Sequence, residues 1–291
     1  MIGAVAGDIV GSIYEFRGIK TKDFPLFGEN CTFTDDTVMT CAVADAIMNG
    51  GQKRDFVRSM KKYGRMYPHA GYGRIFSDWL LEESGEPYGS FGNGSAMRVS
   101  PCAWLSDCET AARTGGIPGE VRLLARRSAE VTHNHPEGVR GALAVADAVF
   151  LARFYFGGWH FAGEEGAAQP PDTTGPSEWK RRIKEHIERE YGYDLSRTLD
   201  EIRPGYSFDA TCRNSVPEAV TAFLESTDFE DAVRNAVSLG GDADTLAAIA
   251  GSIAEAAYGV PEEIRERAWS YLDEPLREVL GRWERFLEQR G

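Results

Sequence analysis

No apolar run in these 291 residues approaches the roughly 20 needed to cross a bilayer, so no membrane-spanning segment is expected. No basic n-region precedes the apolar start of the chain, and no secretory signal is expected either. Cysteine is scarce. Cys31, Cys41, Cys102, Cys108 and Cys212 are odd in number and lack zinc-type spacing, which argues against a disulfide framework and points to reduced thiols in a cytoplasmic protein. A cationic excess is missing too: 32 Lys and Arg stand against 45 Asp and Glu, a net charge of -13. That balance excludes general nucleic-acid binding and anionic-membrane binding, both of which need basic patches. It leaves room for one modified nucleic acid held in a pocket. Alternating strand patterns and strict internal repeats are absent as well, and a monomer is the expected state.

What is present is helix. The segment "EGVRGALAVADAVFLARFYF" is apolar around much of its circumference, which predicts a core helix. "EPLREVLGRWERFLEQ" sets Leu276, Val279, Leu280, Trp283 and Leu287 on one face, an amphipathic C-terminal helix. Ser215 with Glu218, and Thr227 with Glu230, have capping-box spacing ahead of two further helices. The second of these stops at Gly240-Gly241, where left-handed backbone costs little. One stretch breaks the pattern: "GGWHFAGEEGAAQPPDTTGPS" (157–177) is rich in Gly, Pro and small polar residues and reads as a surface loop. Helical segments of similar character flank it. The expected architecture is therefore one compact all-α domain over residues 1–291.

The acidic residues are patterned. "SLGGDADTLAAIAGSIAEAAYG" places Asp242, Asp244 and Thr245 at the head of an Ala-rich helix, and "CTFTDDTVMTCAVADAIMNG" places Thr34, Asp35, Asp36 and Thr37 at the head of another. Either motif alone is explained by acidic N-capping, since a helix N-terminus favours anions. Two such sets facing each other would supply the hard oxygen ligands that Mg²⁺ or Mn²⁺ requires, and several carboxylates suit a binuclear site. In "GAVAGDIVGSIYEF", Gly3, Gly7 and Gly11 form a smooth ridge for a close helix crossing, and Asp8 and Glu15, seven apart, are expected on one helical face. Three tightly packed helices would then gather Glu15, Asp35, Asp36, Asp242 and Asp244 around one cavity. "YGSFGNGSAMRVSP" (88–101) is a glycine-rich loop able to cradle a phosphate, or simply a turn. "VTHNHPEG" brings His133 and His135, and "RPGYSFDA" brings Tyr206 as a stacking platform or a packed aromatic.

Together "GDIVGSIYEF", "FTDDTVMT", "GNGSAMR", "TH" followed by "PEG", "GY" and "GGDADT" resemble the ADP-ribosylglycohydrolase family, in family order from Met1 to about Tyr258. The resemblance implies a compact all-α fold with two Mg²⁺ or Mn²⁺ ions in a cleft. It implies Thr34, Asp35 and Asp36 as ligands on one side and Asp242, Asp244 and Thr245 on the other. It also implies substrate contacts from Gly92, Asn93, Gly94, Ser95, Met97, His133 and Tyr206. Glu15 and Asp36 are the carboxylates that the resemblance places for catalysis.

The implied activity is hydrolysis of the glycosidic bond at C1″ of ADP-ribose, freeing ADP-ribose from a modified protein side chain or a small conjugate. Arginine-directed members often carry an acid just ahead of the "GNG" loop. This chain has Ser90 there, so arginine, serine and other acceptors stay open. The alternatives are a metal-dependent phosphohydrolase acting on a nucleotide diphosphate and a non-catalytic ADP-ribose-binding protein.

Overall fold

The computed structural model describes residues 1–158 and 175–290. Of the stretch read as a surface loop, only 157–158 and 175–177 fall among them. Fifteen α-helices and no strand occur among the described residues. The first group is α1 (Ile2–Gly11), α2 (Asp35–Met48), α3 (Lys53–Met66), α4 (Arg74–Leu81) and the single turn α5 (Gly94–Met97). Then come α6 (Cys108–Thr114), α7 (Gly119–Glu130), the long α8 (Pro136–Phe156), α9 (Pro176–Tyr191) and the short α10 (Leu199–Ile202). The series ends with α11 (Cys212–Leu224), α12 (Phe229–Val237), α13 (Ala243–Tyr258), α14 (Glu262–Tyr271) and α15 (Glu274–Glu288). No described helix is long and apolar enough to cross a membrane.

Helix α13 is the hub, buried along Ala243–Ala254 and packed by α1, α8, α11 and α12. Its small residues let α1 approach until only glycine fits. A Cβ on Gly7 would lie 2.0 Å from the Ala247 carbonyl oxygen, and one on Gly251 would lie 2.4 Å from that of Gly3. Apolar residues from both sides of 159–174 join one continuous core, in which α8 is buried on nearly every face. The stripe of α15 buries Leu276, Val279, Leu280 and Trp283, with Leu287 half-buried at its end.

Three local expectations change. Helix α1 ends at Gly11, so Glu15 lies in the following turn rather than on a helical face above Asp8. Helix α11 starts at Cys212, and Ser215 is an interior residue whose hydroxyl donates to the Asp209 carbonyl (2.8 Å) and accepts from Asn93 (3.1 Å). At α12 the cap is one residue later than expected: Asp228 accepts from the Asp231 N–H (2.8 Å), and Asp231 accepts from the Thr227 N–H (3.0 Å). Aspartate caps as well as threonine, so the pair with the better geometry takes the role. Helix α12 ends three residues before Gly240-Gly241, which turn the chain at φ +71° and +72° into the head of α13.

Candidate functional site

The tight α1–α13 crossing brings Asp8 of α1 against the N-termini of α2 and α13. Asp8 is completely buried. One of its oxygens accepts from the Thr34 hydroxyl (2.6 Å), and the other accepts from the Thr34 N–H (2.9 Å), the Thr37 N–H (3.1 Å) and the Thr37 hydroxyl. Thr34 therefore turns its hydroxyl onto Asp8 while it caps α2 through the Asp36 N–H.

The remaining acids are not spent on capping. Asp242 stands at the N-cap of α13 yet makes no side-chain cap bond; it accepts from Asn93 Nδ2 at 2.6 Å. Asp244 accepts from the Thr245 N–H at 2.9 Å, and Thr245 Oγ1 donates to Asp36 Oδ2 at 3.1 Å. Asp36 Oδ1 is buried with no hydrogen-bond partner. Carboxylate oxygens of Asp8, Asp36 and Asp244 lie within 4.8 Å of one another, as do those of Glu15, Asp242 and Asp244. Asp244 belongs to both groups. Asp35 is the odd member, facing the cavity from the outer side of α2 near Gly71.

So many acids cannot all ionise without a counter-charge. Burial, then the charge of Asp244, pushes Asp36 well above the usual carboxylate range; burial and Asp242 do the same to Asp244. Burial raises Asp35 to about 8, with Asp8 adding to it, and raises Glu15 to about 7, with Asp242 adding to it. Asp242 is raised as well, chiefly by burial. An orphaned buried oxygen in an all-oxygen acidic set is the donor chemistry that a hard divalent cation matches.

These acids floor a cleft of about 590 Å³. One wall is the glycine-rich loop, tied to the 203–212 stretch by Asn93 N–H to the Ala210 carbonyl (2.8 Å) and Cys212 N–H to the Phe91 carbonyl (3.1 Å). Gly92, Asn93, Gly94 and Met97 line the cleft, and Thr245 Oγ1 lies 3.8 Å from the Met97 sulfur. Ser95, expected at the substrate, points into the core and donates to the Gly138 carbonyl at 2.7 Å. His133 lines the cleft, held neutral because burial and then the charge of Arg98 push its pKa well below 6.5. His135 instead caps α8 through the Glu137 N–H.

Tyr206 does not line the cleft. Its ring packs beneath Gly241, and its hydroxyl donates to the Asn214 carbonyl at 3.0 Å. The aromatic faces at the mouth belong to Phe16 and Phe208, 83% and 52% exposed, with ring centroids 6.4 Å apart and planes 19° from parallel. Neither was singled out from the sequence, although Phe16 ends "GDIVGSIYEF" and Phe208 stands in "RPGYSFDA". Arg98 was also missed as a site residue, although it sits inside the quoted "GNGSAMR"; it lines the cleft and is buried.

A family model described as ADP-ribosylglycohydrolase matches residues 1–290. The human ADP-ribosylhydrolase ARH3 (Homo sapiens) is 28% identical, covering 93% of this chain and 88% of its own length. The ADP-ribosylarginine hydrolase Tri1 of Pseudomonas putida (strain GB-1) is also 28% identical, over 93% of this chain and 73% of its own. A solved structure titled ADP-ribosylglycohydrolase-related protein complex superposes with a TM-score of 0.59 at 23% identity, covering 92% of this chain and 94% of that one, a likeness of fold.

Proposed function

The chain belongs to the ADP-ribosylglycohydrolase family, and from that premise we propose that it cleaves the C1″ glycosidic bond of an ADP-ribosyl conjugate with two divalent metal ions, Mg²⁺ or Mn²⁺, at its acidic floor. The observation that carries the metal reading is Asp36 Oδ1, desolvated and partnerless in one of two carboxylate groups that share Asp244. Thr34, Asp35, Asp36, Asp242, Asp244 and Thr245 are the residues that would hold the ions. When bound, divalent cations supply the positive charge that offsets these carboxylates and orients the hydroxyls of a ribose.

The protein's own groups account for the rest. Thr34 and Asp8 brace the head of α2, so that Asp36 keeps its position. Asn93 fixes Asp242 in the same way from the loop side. Gly92, Asn93 and Gly94 bring backbone close to the cleft, where a diphosphate and the distal ribose fit, and His133 closes that end. Glu15, half-buried at the acid floor beside Asp242 and Asp244, can take a proton from an attacking water or stabilise the positive charge that develops at C1″. Phe16 and Phe208 border the mouth beside Glu15. The substrate is an ADP-ribosylated protein side chain or a small ADP-ribosyl conjugate.

A turnover panel with ADP-ribosylated arginine and serine peptides, ADP-ribosylated nucleic acid and O-acetyl-ADP-ribose, each with Mg²⁺ or Mn²⁺, tests the reading. Free ADP-ribose is the expected product, and AMP with ribose phosphate would replace this activity by phosphohydrolysis. Asp36→Ala and Asp242→Ala are each expected to lower turnover on the order of 100-fold or more. Unchanged rates in either would refute the metal assignment.

A further inference from the structure

We propose that Arg98 and Thr132 are positioning residues that lock His133 in the neutral form carrying its proton on Nε2, so that it offers the cleft a fixed N–H donor and cannot serve as a base. The identity of the oxygen that receives this donor rests on the reading above; the lock itself does not.

The argument is one of donors and acceptors. His133 follows α7, its own N–H donating to the Ala129 carbonyl at 2.7 Å, and its side chain is almost wholly enclosed. Its Nδ1 lies 2.8 Å from the Thr132 hydroxyl oxygen. The same oxygen lies 2.8 Å from Arg98 Nη2, which also donates to the Ser128 carbonyl at 2.9 Å. A guanidinium has donors and no acceptor, so toward Arg98 the Thr132 oxygen can only accept. A hydroxyl has a single hydrogen, and among the described residues its remaining partner is His133 Nδ1. With Nδ1 accepting, that buried hydrogen has a partner, whereas an Nδ1–H would leave it stranded at a cost; in a neutral ring the proton then sits on Nε2.

Burial and the Arg98 charge keep the ring from taking a second proton. Arg98 is itself buried, which lowers its pKa to about 10 and still leaves it fully charged at neutral pH. Nε2 faces the glycine loop: a Cβ on Gly94 would lie 3.1 Å from it and one on Gly92 3.5 Å. That side is the cleft, whose floor is otherwise acidic. A neutral N–H there can hold a phosphate or ribose oxygen without the desolvation cost of a buried cation.

The test is a long-range ¹H–¹⁵N correlation spectrum of the ¹⁵N-labelled full chain. With five histidines in the sequence, His133 is assigned by its loss in His133→Gln. The expected result near neutral pH is a protonated-type Nε2 and an unprotonated-type Nδ1. Thr132→Ser should keep that pattern, and Thr132→Val should move both nitrogens toward the averaged shifts of an exchanging mixture. A wild-type proton on Nδ1 would overturn the proposal, whatever the variants do. A Thr132→Val spectrum identical to wild type would overturn the relay. Calorimetry with ADP-ribose supplies the second readout: Thr132→Val is expected to weaken binding about 10-fold and Thr132→Ser to restore it. If the wild-type chain binds no ADP-ribose, the proposed function fails while the spectrum still decides the lock.

Discussion

Asp8 is surrounded by four donors from two threonines, and the way they divide between its two oxygens decides what a substitution does. One oxygen takes three of them, the Thr34 N–H, the Thr37 N–H and the Thr37 hydroxyl, while the other meets only the Thr34 hydroxyl. An asparagine can place its carbonyl at the first position and donate its amide to Thr34 at the second. Asp8→Asn is therefore expected to leave the metal-free protein about as stable as wild type, since it also removes a charge from an over-acidic cluster. Asp8→Ala strands two buried N–H groups and should cost about 2–4 kcal/mol in urea unfolding. Equal loss in the two variants would contradict this division of donors. The raised carboxylates also set a pH dependence. Glu15 titrates at about 7 when folded and near its ordinary 4.5 when unfolded, and Asp35 at about 8 against 3.8. Between those values the folded state holds more protons, so stability falls as pH rises. Metal-free protein is expected to melt higher at pH 5 than at pH 8, with saturating Mg²⁺ narrowing the gap. A melting temperature that rises over that range without metal would show that other groups dominate.

At the scale of the element, the site depends on how closely α1 and α13 cross. The atoms that a Cβ on Gly7 would strike are backbone, the Ala247 carbonyl at 2.0 Å and the Ala248 nitrogen at 2.8 Å, so no side-chain rotation relieves them. Gly7→Ala must push the helices apart, at a cost of about 3 kcal/mol or more. It also moves Asp8 away from Asp244, so metal affinity should fall with stability. A Gly7→Ala protein that unfolds at the wild-type urea midpoint would mean that the crossing is looser than described. Both α2 and α13 aim their N-termini at the acids, and their dipoles favour negative charge there. Dipoles alone do not hold this many carboxylates, as the raised pKa values of Asp36 and Asp244 show.

For the molecule as a whole, metal binding should be visible as stability. Ions that bind the folded chain at about 100 times their dissociation constant contribute about 2.7 kcal/mol. In a chain of this size that corresponds to a rise of about 4–5 °C in melting temperature. Calorimetric scans with chelator and with Mg²⁺ or Mn²⁺ measure it, and the rise should vanish in Asp36→Ala; a rise that persists in that variant would place the ions elsewhere. The all-helical class and the acidic heads of α2 and α13 were legible in the sequence, because apolar periodicity and short motifs such as "TDDT" and "GGDADT" are local properties of the chain. The glycine ridge was legible for the same reason. The turn holding Glu15, the packing of Tyr206 under Gly241 and the placing of Phe208 at the mouth were not, because past a helix end no period governs where a side chain points. Residues far apart in the chain carry no mark of their pairing either. Only tertiary packing decided that Asn93 holds Asp242, that Thr245 meets Asp36 and that Arg98 acts on His133 through Thr132. The sequence by itself determined which residues could bear the chemistry; the α1–α13 crossing decided which of their atoms meet, because contacts formed across a buried interface depend on the whole packed core.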